Sequence, residues 1–261
     1  MKGDCILSQI SMVENLFKES FKVLDGMPQY IGIEERENAN YDHNNWKDKI
    51  NTLNDFAIQN KLRRISALIN RTSEHYLLLA QMIINMGFEK YASKVEVFRD
   101  LNDINNNKKG YEWKSLSDYN ISEDEFKKIW EKCMYASDNS PTSLTMDEHL
   151  NSVKIEIGEN WSTSCNVIYF EDKPIGISIP HIESGTVDEG RLFYFGILPE
   201  ERGKGHSVPI HYQSMNLLKE LGATYYIGST HETNKKMQKV FLKNGCSIKA
   251  ETESYYKYIS N

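Results

Sequence analysis

The chain lacks any block of basic residues. Thirty-one Lys and Arg stand against 37 Asp and Glu, a formal net charge of −6. Nucleic-acid binding rests on clustered cations, so no nucleic-acid partner is expected. Long apolar runs are missing too. Stretches such as Tyr76 to Ala80 are far too short to cross a bilayer, so no membrane partner is expected either. The N-terminal segment carries Asp4 and no extended apolar core, unlike a secretion signal. The four cysteines, Cys5, Cys133, Cys165 and Cys246, lie far apart. No zinc-ligand spacing results, no metal is expected, and reduced thiols of a cytoplasmic protein are the simplest reading. A Gly-x-Ser-x-Gly nucleophile elbow is absent. A nucleotide P-loop fails as well, because Gly205 follows Lys204 and Gly196 lies too far upstream.

What remains is an ordinary globular composition, 39% apolar and 26% charged over 261 residues, enough for one or two domains. Ser122 and Thr145 each precede a Glu by three residues, the spacing of a capping box, and apolar residues follow at helical intervals. Strand-like runs cover Cys165 to Phe170, Ile175 to Ile179, Leu192 to Ile197 and Thr224 to Ser229. A turn is expected at Asp172-Lys173-Pro174. Tyr212, Met215, Leu218 and Leu221 repeat every three residues on one helix, and Lys235 to Lys243 form another that Asn244-Gly245 ends. The tail from Ser247 to Ile259 reads as one or two strands rich in Tyr. The sum is a mixed α/β fold around a sheet.

The run FYFGILPEERGKGHS carries the most chemistry. A strand ends near Ile197, the chain turns at Pro199, and a loop with Gly203 and Gly205 opens a helix. Backbone N–H groups at a helix N-terminus favour an anion, and glycines let the backbone approach it closely. Pro209, in the first helical turn, takes away no intrahelical bond. The loop is therefore a candidate pyrophosphate cradle.

The first half echoes the second. With Ile65 to Leu101 set under Ala223 to Ile259, Ile69, Thr72, Glu74, Gly87 and Ala92 fall on identical residues, and strand, short helix, glycine and closing strand coincide. Tyr30 to Arg36 resembles Tyr194 to Arg202 with two residues skipped. Beyond it stand Glu37, Asn38, Ala39 and Asn40 in place of the glycines. The polar stretch from Asp103 to Gly110 is the expected boundary.

Arg202-Gly203-Lys204-Gly205-His206-Ser207, with Asn234, Met237, Phe241 and Gly245 spaced after it, resembles the two signatures of the GNAT superfamily of acyl-CoA-dependent N-acyltransferases. The match covers roughly Tyr111 to Asn261, and Ser207 replaces the usual small residue. The resemblance implies a tandem arrangement: a complete GNAT domain over 111–261, and a truncated, degenerate copy over 1–106 without the anion loop. It implies acetyl-CoA as cosubstrate and a primary amine of a small molecule or peptide as acceptor, in a monomer or homodimer. It also implies roles. The backbone of Phe195, Ile197 and Leu198 would pair with the pantetheine arm. Arg202 through Ser207 would hold the pyrophosphate. Asn234 would bond the cofactor, Phe241 would flank its thioester, and Met237 would belong to the same cofactor-binding set. Phe241 departs from the Tyr often found there and cannot protonate a thiolate. For the base, Glu189 is the leading candidate, with Asp188 and His181 behind it. The missing hydroxyl and the decayed first half leave a second class open, a non-catalytic acyl-CoA-binding module.

Overall fold

A computed structural model describes residues 2–27, 29–36, 39, 41, 45–105, 110–118, 121–138, 142 and 144–259, with the backbone alone for residues 2–9. Residues 37, 38 and 40 of the first copy, and 106–109 of the expected boundary, lie outside the described residues. The chain divides into two compact units, Met1–Lys94 with Ala250–Asn261, and Val95–Lys249. The described ends of the expected boundary, Asp103 to Asn105 and Gly110, belong to the second unit.

The first unit contains α1 (Lys2–Phe17), β1 (Phe21–Gly26), β2 (Tyr30–Glu35), α2 (Trp46–Gln59), β3 (Arg64–Asn70) and α3 (Tyr76–Asn85). It also takes residues 89–94 of β4 (Glu89–Asp100) and 250–258 of β10 (Ser247–Tyr258). Its strand order is β1-β2-β3-β10-β4. Burial alternates along β3, so Ile65, Ala67 and Ile69 enter the core with Phe17, Phe21, Trp46 and Tyr255.

The second unit contains β5 (Glu112–Ser115), α4 (Glu123–Met134), α5 (Met146–Ile157), the short α6 (Trp161–Ser164), β6 (Asn166–Phe170), β7 (Lys173–Ile182), β8 (Glu189–Ile197), α7 (Ser207–Glu220), β9 (Tyr225–His231) and α8 (Lys235–Lys243). Residues 95–100 of β4 begin its strand order, β4-β9-β8-β7-β6-β5. Both capping boxes form, Ser122 with Glu125 and Thr145 with Glu148. The alignment that sets Ile65 under Ala223 also sets both ends of β4 on those of β10.

Two local expectations change. The hairpin between β6 and β7 turns at Glu171 and Asp172, whose φ values are 49° and 60°, and Lys173 is already strand. Strand β8 begins at Glu189 rather than Leu192. Gly190 hid that start. A Cβ there would stand 2.9 Å from the Ala223 Cβ and 3.1 Å from Leu218, so the close approach of α7 to the sheet needs glycine.

A buried carboxylate ties the first unit together. Glu253 on β10, 3% exposed at its side chain, meets Lys90, accepts from the Tyr255 hydroxyl at 2.6 Å and the Tyr76 hydroxyl at 2.8 Å, and lies 3.7 Å from Arg71. Burial alone would raise its pKa; Lys90, Tyr255 and Tyr76 outweigh that and hold it at about 2. Its folded value lies below its unfolded one, so its contribution is present above about pH 4.5 and disappears toward pH 2. Glu253→Gln is expected to lower the melting temperature at pH 7, with the gap to the parent closing between pH 4.5 and 2 in a calorimetric series.

Candidate functional site

Strand β8 is the frame of the site. Along one edge it pairs with β7 from Gly190 to Ile197. On its other edge it pairs with β9 only at Glu189–Tyr225 and Gly190–Tyr226, in parallel. The registers place Leu192 opposite Pro180 and Tyr194 opposite Ile179, which leaves Phe193 as an extra residue. Such a bulge bends and twists its strand, and β8 leaves β9 just before it. From Arg191 onward the edge is open among the described residues. In the first unit β2 and β3, also parallel, stay paired from Tyr30–Arg64 to Glu34–Leu68. There the Glu35 carboxylate accepts from the Asn70 N–H at 2.7 Å, beyond the last pair.

The open edge runs into the glycine loop. Pro199–Glu201 form one 3-10 turn, and His206 stands at the N-cap of α7 without a side-chain cap. Gly203 and Gly205 have φ of 79° and 91°, and no atom lies within 4 Å of where their Cβ would be. The N–H groups from Gly203 to Val208 make no hydrogen bond among the described residues. These are bare donors at a positive helix end.

Side chains around the loop brace it. Arg202 points inward. Its Nε donates to the Ile197 carbonyl at 3.1 Å, and its two Nη atoms donate to the carbonyls of Ala136, Cys133 and Tyr135 at 2.8, 2.9 and 2.9 Å. One guanidinium thus satisfies the C-terminal end of α4 and fixes the start of the loop. Lys204 pairs with Glu201 at 3.0 Å on the surface. His206 packs its ring against Tyr111 and Phe170, with Nδ1 2.9 Å from the Tyr111 hydroxyl. Ser207, half-buried, opens the helix.

The remaining expected residues divide. The Ile197 carbonyl is taken by Arg202, and the Leu198 N–H donates to the Ile175 carbonyl at 2.9 Å. The free backbone therefore lies upstream, from Arg191 to Gly196, and includes Phe195. Asn234 caps α8, its Oδ1 accepting from the Met237 N–H at 3.0 Å. Met237 is half-buried against the core, and Phe241 is 1% exposed.

Beside Phe241 lies a buried polar chain that sequence patterns do not mark. The Asn244 amide donates to the Val208 carbonyl at 3.0 Å and to His211 Nδ1 at 2.9 Å. The His211 proton therefore resides on Nε2, which faces the Tyr226 hydroxyl at 3.2 Å. Burial pushes the His211 pKa down to about 3, so it is neutral.

A charged cluster gathers where β8 and β9 part. His181 sits between Glu156, at 3.2 Å, and Glu183, at 3.6 Å. Arg191 lies 3.4 Å from Glu183 and 2.6 Å from Glu189. Glu189 also accepts from the Tyr225 hydroxyl at 3.1 Å, and Asp188 from Thr224 at 2.6 Å. All three sequence candidates for a base thus lie in one region, and both Glu189 oxygens are engaged. Burial would lower the His181 pKa, but the two carboxylates outweigh it and hold it at about 8.

The fold has counterparts among solved structures. A GCN5-related N-acetyltransferase from Sphaerobacter thermophilus matches over 92% of this chain and 76% of its own, with TM-score 0.64 and 11% identity. The chain has the GNAT fold. A functionally unknown conserved protein from Staphylococcus epidermidis matches with TM-score 0.57 and 14% identity, over 92% and 91% of the two chains. A tandem GNAT protein from the clavulanic acid biosynthesis pathway matches with TM-score 0.52 and 10% identity, over 92% and 79%. No family model and no curated protein sequence matches the chain. No helix among the described residues is long and apolar enough to cross a membrane.

Arg202→Ala leaves the α4 carbonyls without their charged donor. Hydrogen bonds to charged groups contribute about 1.5–3 kcal/mol, so a loss of about 2 kcal/mol is expected in urea denaturation. Arg202→Lys is expected to restore only part of it, because an ammonium cannot span the same fork.

Proposed function

We propose that the chain is an N-acetyltransferase that moves an acetyl group from acetyl-CoA to a primary amine of a small molecule or peptide by direct attack. The observation that carries this is the open edge of β8 leading into the bare N–H groups at 203–208. Six residues from Arg191 to Gly196 span about 20 Å at roughly 3.3 Å each, room for an extended pantetheine arm to lie as an added strand. Gly203, Gly205 and the first turn of α7 would receive the diphosphate, with Lys204 at the rim. The thioester end then falls near Arg191 and Leu192, where β8 and β9 part.

Acetyl-CoA supplies an activated acyl carbon: the amine nitrogen bonds to it, the C–S bond breaks, and the thiolate leaves with the electron pair. The chain's part is to align these groups and to offer N–H donors to the carbonyl oxygen. Glu189 stands beside this point and would act as base through a water, since Arg191 and Tyr225 occupy its oxygens. The first unit is read as a copy of the same fold that lost its anion loop and whose strands zipped shut.

One observation favours the second reading, a non-catalytic acyl-CoA-binding module: Phe241 brings no proton for the thiolate and is sealed in the core. Thiol release from acetyl-CoA over a panel of amines separates the two. Turnover on one amine supports the enzyme; CoA binding with no turnover on any supports the module.

Ser207→Glu tests the loop. A carboxylate in the first turn suits the helix dipole but repels a phosphate. The variant is expected to keep the parent's melting temperature and to lose the rise that excess CoA causes, about 2.7 kcal/mol at a hundredfold excess over Kd. An unchanged CoA response would show that the diphosphate binds elsewhere.

A further inference from the structure

We propose that Glu156, His181 and Glu183 form a binding site for one divalent first-row transition ion of the zinc class. The three side chains come from the last turn of α5, the end of β7 and the turn after it. Their donor atoms all lie within 4.8 Å of one another. His181 Nε2 stands 3.2 Å from Glu156 Oε1 and 3.6 Å from Glu183 Oε2. Ligands held at about 2.0–2.2 Å around a tetrahedral ion are separated by roughly 3.4 Å, so the two distances from Nε2 match a coordination shell and an ion would draw the carboxylates into place.

The second observation is the imidazole itself. His181 is 2% exposed at its side chain, and neither ring nitrogen makes a hydrogen bond. Glu183 Oε2, at 3.6 Å, is beyond hydrogen-bond reach of Nε2, and Glu156 Oε1, though 3.2 Å away, makes no hydrogen bond with it. An ion between the three groups would give Nε2 a partner along its lone pair; Nδ1 stays unpaired either way. Two carboxylates and an imidazole are the mixed oxygen and nitrogen set that such ions accept.

The surroundings hold the ligands in place. The Glu183 backbone is locked in a hairpin, its N–H donating to the Glu189 carbonyl at 2.9 Å and its carbonyl accepting from Thr186 N–H and Oγ1. The Ser184 hydroxyl donates to the Glu156 carbonyl at 2.9 Å, which pins the α5 end to the same turn. Arg191 steadies Glu183 and is itself held by Glu189, an outer layer of the sort that orients ligands. Glu156, 41% exposed, leaves an entry path and a fourth position open to solvent.

The competing occupant is a proton, which would make the cluster a buried imidazolium between two carboxylates. Titrating the full chain with Co2+ and following visible absorption decides between them, and the readout does not depend on acyl transfer. One saturable equivalent, displaced by Zn2+, is expected. Glu156→Gln, a half-exposed change that leaves the fold intact, is expected to weaken binding at least tenfold, and Glu183→Gln likewise. No saturable Co2+ binding, or binding unchanged in both variants, would overturn the proposal.

Discussion

Parallel strands β8 and β9 share two residue pairs and then separate. The loop, the open backbone edge and the charged cluster all take their positions from that separation. Its cause is local. One extra residue, Phe193, enters β8 against β7, and a bulge turns the strand away from its neighbour. An open edge is a hazard, because its unpaired N–H and C=O groups seek another strand. Here the residues along that edge, 191–196, are half-buried rather than fully exposed.

The first unit displays the alternative. It has the same run of strand, helix, strand and helix, yet β2 and β3 stay paired as far as Glu34–Leu68, and the Glu35 carboxylate accepts from the Asn70 N–H just beyond. With the gap closed, that sheet gains continuous hydrogen bonding and a core built on Ile65, Ala67 and Ile69. The two units thus set stability and an open binding edge against each other with nearly the same element order.

Much of this is legible along the chain because it is local. Capping boxes at Ser122 and Thr145, the C-cap at Asn244-Gly245 and the two loop glycines act within a few residues of themselves. Other features are set by distant partners. Arg202 belongs to a motif read as ligand-binding, but its guanidinium braces carbonyls near residue 135. Phe241 occupies the place of a family hydroxyl and is sealed by α7 and β9. Glu156 reaches His181, on strand β7, from helix α5, at a separation no metal or catalytic spacing rule covers. The start of β8 was hidden because Gly190 reads as a break in sequence and serves close packing in the fold.

The last strand has a consequence for how the protein is made. Residues 250–258 supply β10 to the first unit, with Tyr255 in its core and Glu253 at its polar centre. A ribosome delivers those residues only after 95–249 are complete. The usual order, in which the N-terminal part folds first during translation, is therefore reversed. The nascent first unit must wait, one strand short, with its β3 edge uncovered, until residues 250–258 emerge.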